Sequence, residues 1–144
     1  MSFNEFYDTL DSAKTIALAT SAECIPNVRI VNFCYDKSRL GVLYFATDRE
    51  NQKVKEFALN NRVAFTTIPL DVNSIPHIRS QQAKVCKSEK SLADVQDLFV
   101  ARIPGYDKAI AAIGESLDVF EVHVEEAVVI LGFDAVKEVR FQHS

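Results

Sequence analysis

The sequence predicts a mainly β fold with inserted helices (α+β), organised as a β-barrel rather than as a doubly wound parallel sheet. Six or seven segments have the apolar or alternating pattern of strands, and the helical segments between them are short and follow no regular repetition. No part of the chain repeats another. The four glycines stand at positions 41, 105, 114 and 132, which excludes both the glycine-rich dinucleotide fingerprint and a P-loop.

Length and composition indicate one globular domain over residues 1–144. Hydrophobic residues make up 48% of the 144, and 16 basic against 20 acidic side chains give a formal charge of −4. The mild acidity argues against a nucleic-acid partner, and the apolar runs are far shorter than the roughly 20 residues of a membrane span. The acidic start does not resemble a signal peptide, and three widely spaced cysteines indicate no disulfide framework. We therefore expect a cytoplasmic protein with neither a nucleic-acid nor a membrane partner.

The first third of the chain is predicted as a helix followed by strands. Four apolar side chains share the spacing of one buried helix face: Phe3, Phe6, Tyr7 and Leu10. Ser2 and Glu5 have the spacing of a capping box at its start. Three strands are predicted next, at residues 15–20, 28–35 and 42–47. The stretch 21–27 contains a proline and is predicted as a turn.

The rest of the chain alternates between short helices and strands. A helix at residues 50–60 follows Asp48, its predicted N-cap. Further helices are predicted at residues 92–102 and 106–115. The remaining strands are predicted at residues 62–68, 77–87, 118–125 and 127–133. Because the strand at 77–87 is less apolar than the others, we expect it at a sheet edge, and we expect the chain to end in a polar tail.

Arg29 is the most informative residue of the sequence. Both faces of its predicted strand carry apolar residues and look buried. A buried guanidinium needs an anion, because an unpaired buried charge is strongly unfavourable. Two partners satisfy that need, a carboxylate of the protein itself or the phosphate of a ligand.

A second candidate site lies where a strand leads into a helix, at residues 47–53. Helix N-termini bind anions through free N–H groups and the positive end of the helix dipole. Thr47 can add a hydroxyl from the strand end, and Lys53 can add an ammonium one turn into the helix. A capped surface helix with mixed charges has the same pattern, so both interpretations remain open.

No metal site is expected from the sequence. His123 shares one face of an alternating strand with Glu121 and Glu125, and most such faces are simply solvated. No His-x-His or His-Glu-x-x-His pattern occurs. None of the cysteines has a histidine beside it in the sequence. The residues thus indicate no catalytic nucleophile, and the catalytic residues stay unassigned.

Four short segments carry a family resemblance: residues 26–31 (PNVRIV), 43–47 (LYFAT), 51–53 (NQK) and 60–65 (NNRVAF). In this order and spacing the chain resembles the pyridoxamine 5′-phosphate oxidase-like family of FMN-binding split barrels. The resemblance covers most of the chain. It implies a six-stranded antiparallel split β-barrel that forms a homodimer, with FMN bound in two clefts between the subunits.

The resemblance also implies which residues bind the phosphate end of FMN. Arg29 and Lys53 match positions that hold the flavin phosphate. Thr47 and Asn51 match polar contacts to the phosphate or the ribityl chain. Gln52 occupies a position in this group that is basic in many flavin-binding members.

Residues beside the isoalloxazine ring follow from the same resemblance. The backbone of Ile30, Val31 and Asn32 matches the stretch that lies along the ring. Gln81 falls where family members often carry glycine, also beside the ring.

The resemblance predicts an FMN-binding flavoprotein, an oxidoreductase that acts on a small unidentified molecule through the redox chemistry of the flavin. Pyridoxamine phosphate itself is not the expected substrate, because the chain has no tryptophan to match the substrate contacts of the true oxidase. Two alternatives remain. One is a non-catalytic flavin- or haem-binding module for storage or sensing, and the other is a cofactor-free interaction protein in which Arg29 is paired internally.

Overall fold

The computed structural model describes residues 3–70, 73 and 75–142, which form one curled antiparallel sheet with four α-helices. The strands are β1 (Thr15–Ala22), β2 (Ile25–Asn32), β3 (Cys34–Tyr35), β4 (Val42–Asp48), β5 (Arg62–Thr67), β6 (His77–Lys87), β7 (Leu117–Gly132) and β8 (Ala135–Arg140). The helices are α1 (Asn4–Ser12), α2 (Gln52–Leu59), α3 (Leu92–Arg102) and α4 (Tyr106–Ile113). Among the described helices, none is both long enough and apolar enough to cross a membrane.

The sheet is assembled around β7, its longest strand. The strand order is β2-β1-β5-β6-β7-β4-β3, and β8 also pairs with β7. The first half of β7 pairs with β4 and the second half with β8, while β6 runs along the other edge of β7. Two register shifts in β6 interrupt its pairing with β7. Such bulges bend a strand and increase its twist, which helps the sheet to curl.

Buried side chains form two clusters on opposite faces of the sheet. The larger cluster includes Leu18 and Phe45 of the sheet together with Phe6 of α1. The smaller cluster joins Tyr44 of β4 to Phe99 of α3 and to residues of α4. Neighbouring residues of a strand point to opposite faces, so Tyr44 and Phe45 mark the two sides. The helices α3 and α4 therefore cover the outer side of β4 and β7.

The predicted fold class is confirmed, but the predicted number of strands is wrong. The described chain is mainly β, antiparallel and interrupted by helices, whereas its single sheet has eight strands and not six. The helix predicted at 92–102 is found with the same bounds as α3. Its start is fixed by a capping box, in which Ser91 and Asp94 satisfy each other's backbone N–H groups.

The connection between β1 and β2 is tighter than the predicted turn at residues 21–27. Only Glu23 and Cys24 lie between the two strands, and both have positive φ, 54° and 65°. Positive φ at both central residues is typical of a type I′ hairpin turn, which usually contains Asn-Gly or Asp-Gly. Because Glu-Cys is neither of these pairs, the residue types here do not indicate a tight hairpin turn. Pro26 is accommodated because β2 ends the sheet order, where a missing N–H leaves no partner unsatisfied.

The prediction that the strand around Arg29 is buried on both faces is also wrong. β2 ends at Asn32, and its outer face is open: Val28 and Ile30 are 63% and 60% exposed. Arg29 is opposite Leu18 in the pairing of β2 with β1. Directly paired residues share a face, so the Arg29 side chain lies on the inner side of the sheet.

Three further strand predictions are corrected. β6 is not an edge strand, since it lies between β5 and β7. The strands predicted at 118–125 and 127–133 are one strand, β7, in which the pair Glu125-Glu126 breaks the alternation of the sequence. The predicted polar tail contains β8, whose valines are three residues apart and so do not show a strand period.

The start of α2 differs from prediction, and the predicted start of α1 is not tested. The capping box predicted at Ser2 lies outside the described residues. In α2 the N-cap is Asn51 and not Asp48, because the Asn51 side chain accepts a hydrogen bond from the backbone N–H of Lys53. Asp48 instead accepts a hydrogen bond from the backbone N–H of Glu50, within the preceding turn.

Gly41 gives a test of the packing between the loop before β4 and the residue after β8. It has a φ of +75°, and a Cβ built there would lie 2.6 Å from the ring of Phe141. We expect Gly41→Ala to lower the free energy of unfolding by about 2–5 kcal/mol, the sum of left-handed strain and overpacking. Gly105→Ala is the matched control, since Gly105 has a φ of +81° and no atom within 4 Å of an added Cβ. Chemical denaturation showing equal losses for both variants would contradict this description of the packing.

Candidate functional site

An ion pair between Arg29 and Glu56 joins the edge hairpin to helix α2. Arg29 Nη2 lies 2.6 Å from Glu56 Oε1, and Arg29 Nη1 donates to Thr20 Oγ1 at 2.8 Å and to the carbonyl oxygen of Leu18 at 3.2 Å. The Arg29 side chain is 19% exposed. The structure thus gives this guanidinium the internal carboxylate partner that the sequence left open as one alternative.

Glu56 accepts hydrogen bonds from three side chains. Its Oε1 also accepts from Thr20 Oγ1 at 2.6 Å, and its Oε2 accepts from Asn27 Nδ2 at 3.2 Å. The hydrogen bond from Thr20, followed by those from Asn27 and Arg29, lowers the pKa of the Glu56 carboxyl to about 2 against the opposing effect of burial. Glu56 is therefore ionised throughout the physiological pH range.

Lys53 lies one turn before Glu56 on the same face of α2 and is 8% exposed. Its Nζ donates a hydrogen bond to Thr47 Oγ1 at 2.8 Å, from the end of β4. Within the described part of the chain, Lys53 forms no ion pair with a carboxylate. Burial, and secondly repulsion from Arg29, lower the pKa of this ammonium, while Glu56 raises it. Lys53 is thus a buried cation held mainly by a neutral hydroxyl.

The group formed by Arg29, Lys53 and Glu56 has a net charge of +1 when all three are ionised. Helix α2 begins beside it, and the positive end of a helix dipole adds to the same potential. The arrangement favours an anion. Glu56 was not identified from the sequence, since nothing in the pattern of α2 distinguishes it from the other acidic residues.

The remaining residues assigned by resemblance are in two places. Asn51 lies at the start of α2, where its side chain is engaged in capping, and Gln52 is exposed beside it. Val31 shares the inner face of β2 with Arg29, whereas Ile30 and Asn32 are on the outer, exposed face. The structure therefore brings Arg29, Thr47 and Lys53 to one region and leaves Ile30 and Asn32 on the other side of the strand.

A groove of about 630 Å³ occupies the outer face of the sheet beside β2. Small side chains of β1 and β5 form part of its lining, namely Ala17, Ala19 and Ala64. Val28 and Gln81 also line it. This groove follows from the run of alanines on the outer face of β1 and β5, where larger residues would fill the space. A second, smaller depression of about 430 Å³ lies beside Arg102.

Comparison with known proteins gives a family match and a common fold. Residues 9–135 match the family model described as pyridoxamine 5′-phosphate oxidase-like. A sequence search of curated proteins finds no significant match.

Three solved structures illustrate the shared fold. A NimC/NimA family protein from Clostridium acetobutylicum superposes with a TM-score of 0.72 at 15% identity, covering 96% of this chain and 92% of that one. An FAD-binding protein from Mesorhizobium loti has a TM-score of 0.65 at 14% identity, with 88% and 92% covered. A haem-binding protein from Mycobacterium smegmatis has a TM-score of 0.69 at 14% identity; 94% of this chain is covered but only 56% of that one. Identities this low establish the fold alone.

The Arg29–Glu56 pair predicts a specific dependence of stability on pH. Because the folded-state pKa of Glu56 is depressed from 4.5 to about 2, its contribution is present above pH 4.5 and lost as the pH falls towards 2. We expect Glu56→Gln to lower the free energy of unfolding at pH 7 by about 1.5–3 kcal/mol, the value of a charge-assisted hydrogen bond. The difference from wild type should shrink on acidification.

Glu50→Gln is the matched control, since Glu50 is an exposed carboxylate just before α2. Urea denaturation between pH 7 and pH 2 measures both variants. A Glu56→Gln effect that does not depend on pH, or an equal effect of Glu50→Gln, would show that the ion pair does not stabilise the fold.

Proposed function

The chain belongs to the pyridoxamine 5′-phosphate oxidase-like family, and on that premise we propose that it binds flavin mononucleotide as an oxidoreductase of that family. The phosphate would bind at Arg29 and Lys53, beside Thr47 and the start of α2. The isoalloxazine ring would lie along β2. A small molecule that exchanges electrons with the flavin would be the substrate.

The main observation in support of this proposal is the environment of Lys53, a buried ammonium whose Nζ donates a hydrogen bond to the hydroxyl of Thr47. A buried ammonium loses its hydration, and a single hydroxyl partner replaces little of it. A phosphate dianion would supply the missing counter-charge and would form charge-assisted hydrogen bonds to Lys53 and to the helix start. Arg29 could add a contact through N–H groups that Thr20, Leu18 and Glu56 do not use.

The exposed side of β2 supports the placement of the ring. β2 is the terminal strand of the sheet, so alternate backbone N–H and C=O groups along it face away from β1. On the adjoining outer face of β2, Val28 and Ile30 provide exposed apolar surface next to the alanine-lined groove that contains Gln81. We propose that a second copy of the chain covers this surface and completes the cleft. The homodimer and the cytoplasmic location stay predictions from the sequence.

Bound flavin would supply hydride transfer, which protein side chains do not perform, together with single-electron chemistry. The role of this chain is then to fix the phosphate, orient the ring and shield its face. Two of the fold relatives are described as FAD-binding and haem-binding, so storage or sensing of a planar cofactor is the related alternative. The internal pairing of Arg29 favours a further candidate, a cofactor-free interaction module.

The absorbance spectrum of the purified protein separates these functions. We expect flavin bands in the blue and near ultraviolet, after purification or after reconstitution with FMN. A Soret band instead would indicate the haem-binding alternative. Absence of both, with no uptake of FMN on titration, would reject the flavin proposal and favour the interaction module.

Lys53→Met tests the phosphate contact. We expect it to weaken FMN binding by about 10- to 150-fold, since it removes a charge-assisted contact of about 1.5–3 kcal/mol. Riboflavin has no phosphate, so its weaker binding should hardly change. Arg29→Ala is less informative, because it would leave Glu56 buried without its cation.

The control for this test is Lys55→Met, which removes the same charge from an exposed position of α2. Calorimetric titration with FMN and with riboflavin measures all three proteins. Equal losses for both ligands in Lys53→Met would indicate disturbed folding. The same loss of FMN affinity in Lys55→Met would show that the effect of Lys53→Met comes from general electrostatics and not from a direct phosphate contact.

A further inference from the structure

A second polar group lies on the outer face of the sheet, centred on Glu121 of β7. Glu121 is 6% exposed, and both its oxygens accept hydrogen bonds. Oε2 is 2.8 Å from Arg39 Nη1 and 2.7 Å from Ser88 Oγ. Oε1 is 3.2 Å from Arg39 Nη2 and 2.8 Å from His123 Nε2. Arg39 also donates to the hydroxyl of Tyr44 at 2.8 Å, which fixes the guanidinium in place.

Strand pairing adds a cysteine to this group. Cys86 of β6 is directly opposite Glu121 of β7, and His123 is two residues further along the same face of β7. The thiol, one carboxylate oxygen and one imidazole nitrogen all lie within 4.8 Å of one another. Neither β6 nor β7 alone indicates such a group, because Cys86 and His123 are 37 positions apart in sequence, from 86 to 123.

We propose that Cys86, Glu121 and His123 form a zinc site, with a water molecule as the fourth ligand. Thiolate, imidazole and carboxylate are the three side chains that Zn²⁺ uses in proteins, and three protein ligands with one open position is a common arrangement. The site is separate from the Arg29 and Lys53 region, and the inference does not depend on flavin binding.

The hydrogen bonds of Glu121 determine which oxygen would bind the metal. Oε2 is held by both Arg39 and Ser88 and would keep these partners. Oε1 faces His123, and its contact with Nε2 is the one that the metal would replace. Carboxylates that bind metals are themselves oriented by hydrogen bonds of this kind. Arg39 and Ser88 would therefore act as positioning residues.

The geometry is compatible with the ion. Tetrahedral Zn²⁺ places its sulfur and nitrogen ligands about 3.5 Å apart, so a thiol up to 4.8 Å from the other ligand atoms needs to close by about 1 Å. His123 Nε2 and Glu121 Oε1 are 2.8 Å apart and need to separate slightly. Rotation about side-chain torsions supplies that movement, since the two strands are paired at these residues. Zinc binding would release the thiol proton to water as the Zn–S bond forms.

The test uses full-length protein without a histidine tag, kept reduced, and titrated with Co²⁺ and then Zn²⁺. We expect Co²⁺ to give the visible bands of a tetrahedral site and a thiolate charge-transfer band, both removed by one equivalent of Zn²⁺. Cys86→Ser should abolish the charge-transfer band and weaken Zn²⁺ binding by more than about 100-fold, beyond the 10- to 100-fold typical of losing an outer partner. His123→Gln should weaken binding similarly.

Cys24→Ser is the matched control, because Cys24 is an exposed thiol at the distant β1–β2 turn. It should bind both metals like the wild type, and thermal melts of every variant check that folding is retained. The proposal is overturned if wild-type protein binds no more Zn²⁺ than Cys86→Ser. It is also overturned if the charge-transfer band persists in Cys86→Ser, which would place the thiolate elsewhere.

Discussion

The Arg29–Glu56 ion pair is the interaction on which the candidate flavin site depends. It connects β2, the terminal strand of the sheet, to α2, the helix whose start supplies Lys53 and Asn51. Without this ion pair, β2 would be held at this end by its pairing with β1 and by contacts that are not ion pairs. The pair therefore sets the distance between the edge strand and the helix, and with it the width of any anion site between them.

The Arg29–Glu56 pair also determines the net charge of the candidate site. Glu56 neutralises the partly buried Arg29 and leaves the buried Lys53 with a hydroxyl partner. A site with both cations unpaired would destabilise the free protein, whereas a fully neutral one would have little affinity for phosphate. A net charge of +1 lies between these limits, and the bound anion would complete the balance.

Prediction from the sequence succeeded where a signal is local. The strand-to-helix change near Lys53 and the helix α3 follow from periodicity and residue type. Arg29 does have an anionic partner, Glu56, although the prediction came from a strand wrongly expected to be buried on both faces. Glu56 could not be identified, because its role depends on α2 packing over β1 and β2, which no local pattern records. The predicted turn at residues 21–27 contains the observed hairpin turn, but its tight form at Glu23 and Cys24 was not predicted, since these residue types rarely adopt that backbone conformation.

The group formed by Cys86, Glu121 and His123 also could not be identified from local sequence patterns. His123 and Glu121 were visible as one face of an alternating strand, but the register that brings Cys86 beside them is set by a sheet with two shifts in pairing. A shift of one residue would have turned Cys86 to the opposite face. Chemistry that spans two strands is thus a property of the register and not of either strand, and it becomes visible only in the structure.

The titration of the Lys53 ammonium, followed by NMR of its side-chain carbon, tests directly whether Lys53 is the phosphate contact. The signal is assigned by its loss in Lys53→Met. We expect a pKa below the ordinary 10.5 in the free protein, because of burial and repulsion from Arg29. FMN should raise this pKa, since the phosphate stabilises the charged form, whereas riboflavin should leave it nearly unchanged. An ordinary pKa in the free protein, or equal responses to both flavins, would contradict the assignment of Lys53 as the phosphate contact.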